Sequence, residues 1–175
     1  MLFFRELKID EVQKLSEIDR SETIDFIYQI NNGNIKEINA PHECPNWNDE
    51  ITKEIQERFV YELKKAGLAI GAFDGDLLVG FGVLAHKFRG KQKDQLQIDL
   101  MFVSRKYRRQ GIGSRIMNEL SNEARRRGAK YLYISSTETR SAVYFYKSHG
   151  SQITDEVDEE LFNIEPNDIH MIKEL

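Results

Sequence analysis

The most chemically distinctive residues lie between Val103 and Ser114, in the run Val-Ser-Arg-Lys-Tyr-Arg-Arg-Gln-Gly-Ile-Gly-Ser. Gly111 and Gly113 allow the main chain to turn tightly and to approach a bulky ligand. If a helix begins there, the N–H groups of its first turn lack partners inside the helix. They can face an anion, and the helix dipole supports them. Arg108 and Arg109 would add charge-assisted bonds to phosphate. With Arg105, Lys106 and Arg115 they form a cationic run without an acid, inside a chain of net charge −4. This is physically a pyrophosphate cradle. Two common cradles fail at specific residues. A nucleotide-hydrolase loop needs a lysine where Ser114 stands, and a dinucleotide turn needs a third glycine where Ile116 stands. On local criteria alone, an ordinary strand–helix turn with solvated cations fits equally well.

The cradle needs a strand before it and a helix after it, and the sequence predicts both. Residues 95–103 read as a strand. Residues 113–127 read as an amphipathic helix with Ile116, Leu120 and Ala124 on its inner face and Gly128 as its stop. Upstream, the pattern predicts a strand over 2–9 and a short helix over 10–18. A second helix over 22–30 would be capped by Ser21. Residues 31–47 read as an irregular excursion with a short hairpin at Asn32-Gly33. Asn48 would cap a helix whose stripe is Ile51, Ile55, Phe59 and Leu63, ended by Gly67. Strands over 69–73 and 77–86 would be joined at Asp74-Gly75. Downstream, a strand over 130–135 and a helix over 139–148 precede two final strands, 151–157 and 169–174. The expected fold is α/β, with three layers in α/β/α order around a mixed, mostly antiparallel sheet, in one domain spanning 1–175.

A second block, Thr139-Arg-Ser-Ala-Val-Tyr-Phe-Tyr-Lys-Ser-His-Gly150, follows at the end of that crossover. Together, Arg108-x-x-Gly111-x-Gly113 and Ala142-x-x-Phe145-Tyr146 with Gly150 resemble the two signatures of the GNAT superfamily of N-acetyltransferases. Thr139 stands where an asparagine is common, and Ser151 where an aromatic usually follows the glycine. The resemblance is specific over residues 95–150. It implies acetyl-CoA as cosubstrate, held by Arg108, Arg109, Gln110, Gly111, Ile112, Gly113 and Ser114, with a contact at Thr139. It further implies that the main chain of Met101, Phe102 and Val103 meets the pantetheine arm where this strand diverges from its neighbour.

Acyl transfer from a thioester needs a neutral amine, yet alkyl amines titrate near ~10. A base for the amine, an acid for the departing thiolate and a donor for the tetrahedral oxygen are therefore required. The resemblance assigns the acid to Tyr146. The base is sought on the strand before the turn, where Gln97 occupies the family's glutamate position and Asp99 shares its face by alternation. A buried core tyrosine and a solvent-facing aspartate are the competing readings. The main-chain groups of Met101 to Val103 would also supply the oxyanion donor.

The remaining features bound the function. One cysteine, Cys44, excludes an internal disulfide and fits a reducing, cytoplasmic setting. The opening apolar run breaks at Arg5, too early for a membrane span. His42 and Cys44 lack a second ligand cluster, so no metal is expected. Arg125-Arg126-Arg127 reads as cations favoured at a helix C-terminus rather than a nucleic-acid surface. No nucleic-acid or membrane partner is expected. The acceptor would be a small-molecule or peptide amine, and a homodimer is compatible with the resemblance. Glu11, Glu17, Asp19, Glu22 and Glu37, in the divergent part, would favour a small cationic amine. Trp47 fits either an acceptor-pocket wall or a core plug. The alternative reading is a CoA-binding module without catalysis.

Overall fold

The structure is a computed structural model that describes residues 1–175. Its strands are β1 (Leu2–Leu7), β2 (Glu22–Asn31), β3 (Asn34–Cys44), β4 (Leu68–Asp74), β5 (Leu77–Arg89), β6 (Gln95–Val103), β7 (Tyr131–Ser136), β8 (Ser151–Ile153) and β9 (Ile169–Glu174). Its α-helices are α1 (Asp49–Lys64), α2 (Ile112–Arg126), α3 (Arg140–Ser148) and α4 (Glu159–Ile164), and a 3-10 helix covers Ile9–Glu17. Seven strands form one sheet in the order β1-β4-β5-β6-β7-β9-β8, and β2 pairs with β3 apart from it. Every pairing is antiparallel except β6–β7, which α2 connects as a parallel crossover.

The helices lie where their apolar stripes dictate. Ile116, Met117 and Leu120 of α2 and Val143 and Tyr146 of α3 join one buried cluster with Val79, Leu96 and Leu132. Ile55 and Phe59 of α1 join the opposite one with Phe73, Phe81 and Val83. The sheet is thus covered on both faces, giving the expected three layers. None of the helices is long and apolar enough to cross a membrane.

Residues 22–30 depart from the expected helix and form β2. Ile24, Phe26, Tyr28 and Ile30 recur at period two, and Ile24 and Tyr28 are buried. The β-branched and aromatic side chains suit a pleated surface. Asn32 and Gly33 both take positive φ, 50° and 79°, the turn that matches strand twist. The hairpin therefore reaches from Glu22 to Cys44, far beyond the short one expected. Near the C-terminus, β8 ends at Ile153, and α4, capped by Asp158 (3.0 Å to the Leu161 N–H), replaces part of the expected loop.

Candidate active site

Two features of β6 shape the site. The ladder between β6 and β7 stops at Ile98–Ile134, although both strands continue. From Asp99 onward β6 pairs with β5 alone, so a gap opens between β6 and β7. Within that stretch, β5 residues Val83 and Leu84 face Leu100 and Ile98, which leaves Asp99 as the extra residue of a β-bulge. The bulge reverses the alternation. Leu96 and Ile98 belong to the α2 side, whereas Leu100 and Phe102 pack on the α1 side.

The free edge of β6 is partly occupied by arginines. Arg58 Nη2 donates to the Asp99 carbonyl and to Asp99 Oδ1, both at 2.9 Å. Arg108 Nε donates to the Val103 carbonyl at 2.9 Å. Main-chain groups two residues apart share a direction, and the Ser104 N–H bonds β5 at Val79 (2.8 Å) on the other side. The N–H and C=O of Met101 therefore point into the gap, between two carbonyls that already have donors.

The glycine turn follows. Arg109 (φ 63°) and Gly111 (φ 83°) take left-handed conformations, and α2 starts at Ile112 without a side-chain cap. No protein group accepts a hydrogen bond from any main-chain N–H between Arg109 and Ser114. Such a run of bare donors at a helix start is an anion-binding concavity. Gly111 leaves it open, since a Cβ there would meet nothing within 4 Å. Gly113 has a different reason: a Cβ would lie 2.9 Å from Phe145 Cε1. The absent side chain lets α2 seat against α3, and Ser114 Oγ and His149 Nε2 share a 2.9 Å hydrogen bond beside it. The two sequence blocks are thus in contact.

Arg108 differs from expectation. Besides Val103, its guanidinium donates to the carbonyls of Ser21 (2.9 Å) and Asp19 (3.4 Å). It ties β6 to the start of β2 rather than standing free for a phosphate. Arg109 is exposed and its side chain makes no intramolecular bond, while Gln110 Nε2 holds the Lys106 carbonyl at 3.2 Å. Thr139 caps α3, accepting from the Ala142 N–H at 3.4 Å.

Tyr146 of α3 is 8% exposed and packed in the α2-side core. Its hydroxyl has no hydrogen-bond partner, yet it is not among the buried polar atoms cut off from solvent. Burial, reinforced by the charge of Asp168, raises its pKa above the ordinary phenol value. Asp99, its side chain 12% exposed, is raised by burial against the pull of Arg58. Gln97 and Asp99 line one cavity of about 220 Å³ with Arg58, Glu62, His86 and Leu161. Glu62 is itself held there by the His86 N–H (2.9 Å) and Nδ1 (2.6 Å). Trp47 packs edge-on against Phe102, with ring centroids 4.8 Å apart, at the α1 side of the gap. Arg58, Glu62, Asp168 and α4 carry no local sequence signal. Only the meeting of α1, β6, β7 and β9 reveals them.

The acids of the divergent segment do not form a cation-attracting face. Glu11 binds Arg5 (2.6 Å), and Glu17 accepts from the Leu78 N–H (2.6 Å). Asp19 accepts from the Ser21 N–H (3.0 Å), Glu22 from Ser141, and Glu37 from Arg140 (3.0 Å). Each has a structural partner.

The sequence matches the profile of the acetyltransferase (GNAT) family over residues 32–150. The chain belongs to that family, and its central sheet, helices and divergent strand pair are those of a GNAT enzyme. Among solved structures it is similar to nourseothricin acetyltransferase, with a TM-score of 0.74 at 18% identity, covering 99% of this chain and 98% of the other. It is also similar to a putative streptothricin acetyltransferase from Bacillus anthracis str. Ames in complex with acetyl coenzyme A (TM-score 0.73, 17% identity, 100% and 99% covered). The PaiA N-acetyltransferase from Thermoplasma acidophilum in complex with coenzyme A aligns with a TM-score of 0.66 at 16% identity, over 100% and 99% of the chains. No curated protein matches the sequence.

Proposed function

We propose that this protein, acting as one domain, transfers an acetyl group from acetyl-CoA to a primary amine of a small cationic acceptor. The observation that carries this reading is the run of unpartnered N–H groups from Arg109 to Ser114, at the end of the strand that parts from β7 beyond Ile98–Ile134. A diphosphate suits the first feature, because bare amides at a helix start favour anions. An extended amide-bearing arm suits the second, because the free edge at Met101 offers main-chain hydrogen bonds in strand geometry. Arg109 adds charge at the cradle, and Thr139 contributes by fixing the start of α3.

In this reading Asp99 takes a proton from the acceptor's ammonium group. Its raised pKa makes it a better base than an exposed carboxylate. The neutral amine attacks the thioester carbonyl, and the Met101 N–H meets the developing oxyanion. Tyr146 donates its proton to the departing thiolate. The acceptor reaches the gap from the α1 side, past Trp47 and the cavity of Glu62 and Asp99.

The test is an acetylation screen read by release of free thiol. Nourseothricin, streptothricin, a polyamine and peptides with a free amino group serve as acceptors, with calorimetry of acetyl-CoA binding alongside. Transfer to a small cationic amine supports the reading. Binding without transfer to any acceptor identifies a CoA-binding module, and no binding removes both.

A further inference from the structure

A second carboxyl group lies beyond β7, close to where that strand parts from β6. Asp168 immediately precedes β9, and its Oδ2 accepts a 2.7 Å hydrogen bond from Ser135 Oγ. Ser135 is the first residue of β7 beyond the last β6–β7 pair, Ile98–Ile134. Asp99 is likewise the first residue of β6 beyond it. Asp99 thus lies on one diverging strand, and Asp168, at the start of the neighbouring β9, is held against the other through Ser135. Their partners differ. Asp99 is bound directly to the Arg58 guanidinium, whereas Asp168 has a neutral hydroxyl and no ion-pair partner within 4.0 Å.

Resting on the acetyltransfer reading, we propose that Asp168 is a second proton-transfer residue, serving the collapse of the tetrahedral adduct. Proton balance leaves a second proton for such a group to carry. An ammonium nitrogen loses two protons when it becomes an amide, and the thiolate gains one. In this scheme the first proton passes to Asp99 and on to solvent. The second passes to Asp168 as the C–S bond breaks and the C–N bond is kept. Tyr146 protonates the sulfur, and its phenolate recovers through solvent the proton that Asp168 took up. The net result is one proton released per acetyl group transferred.

The surroundings of Asp168 suit this work. Burial raises its carboxyl to about 6, Glu165 and Glu138 push the same way, and Ser135 and the more distant Arg58 oppose them. Tyr146 on α3 senses its charge in turn. A carboxyl poised near neutrality can both accept and return a proton, and pairs of acids in unlike settings are how one site holds two proton roles.

The experiment compares the full chain with Asp168→Asn and Ser135→Ala. Asp168→Asn is expected to lower kcat on the order of 10²-fold, leaving the amine KM and the acetyl-CoA Kd unchanged. Ser135→Ala removes the bond that holds the carboxyl down, so the acid limb of the pH–kcat profile should move to higher pH. An activity-independent reading comes from carbon-detected NMR titration of the Asp168 carboxyl in ligand-free protein, expected near 6. A wild type that transfers acetyl groups while Asp168→Asn keeps its kcat and profile overturns this proposal alone. A carboxyl titrating in the ordinary aspartate range also overturns it. A wild type that transfers nothing overturns the acetyltransfer reading together with it.

Discussion

Replacing Tyr146 by phenylalanine removes one oxygen atom from a ring fixed in the α2-side core. That oxygen makes no hydrogen bond in the structure, so its loss breaks none. The ring keeps its edge-on contact with Phe145, at 5.1 Å between centroids, and its place beside Val143. The folded state should therefore change by less than about 0.5 kcal/mol, or roughly 1–2 °C in melting temperature for a chain of this size. The effect on chemistry should be far larger. A positioned general acid is worth about 10²–10⁴-fold, which raises the barrier by roughly 3–5 kcal/mol. Thiol release under saturating substrates measures kcat, calorimetry gives the acetyl-CoA Kd, and a thermal melt controls for folding. The phenol is held protonated by burial and by Asp168, so the defect should have the same size from neutral to mildly alkaline pH. A kcat within about two-fold of wild type, a barrier change under ~0.5 kcal/mol, would show that the thiolate leaves unaided.

Three further outcomes follow from the geometry. Gly113→Ala places a methyl 2.9 Å from Phe145 Cε1 and should cost about 1–3 kcal/mol of stability. A Phe145→Leu background should relieve it, and simple additivity in that double-mutant cycle would refute the contact. Asp99→Asn should lower kcat/KM on the order of 10²-fold and change the acid limb of its pH profile, leaving only the part Asp168 sets; an unchanged profile would dismiss Asp99 as the base. Glu11, held by Arg5 and by the Lys8 N–H, has its carboxyl lowered from 4.5 to about 2. Its stabilisation is complete above the unfolded value and is lost as pH falls through the folded one. Glu11→Gln should thus cost about 1 kcal/mol near neutral pH. In chemical denaturation, a cost that failed to shrink on acidification would contradict this.

Residues 95–150 were legible in the sequence because their constraints are local. A strand, a glycine turn and an amphipathic helix are written in alternation, in Gly111 and Gly113, and in the Ile116–Leu120–Ala124 stripe. The bare amides follow from the turn itself, since a helix start without a capping side chain leaves its first N–H groups open. The hairpin of 22–44 is not legible in the sequence because Ile24 and Ile27 also satisfy a helical spacing. What decided it was the burial of Ile24 and Tyr28, with the Tyr28 N–H bonding the Glu138 carbonyl at 2.7 Å, more than a hundred residues away.

The sequence by itself determined the order of elements around the crossover and the glycine turn that opens α2 with bare N–H groups. The tertiary structure alone decided which charges remain available. It turned Arg108 onto the carbonyls of Val103, Ser21 and Asp19, and paired Glu11 with Arg5 and Glu37 with Arg140. It also gave Asp99, on β6, a cation and Asp168, beside Ser135 of β7, only a hydroxyl. Local geometry is fixed by neighbours along the chain. The strength of an acid or base is fixed by burial and by charges that arrive from other elements.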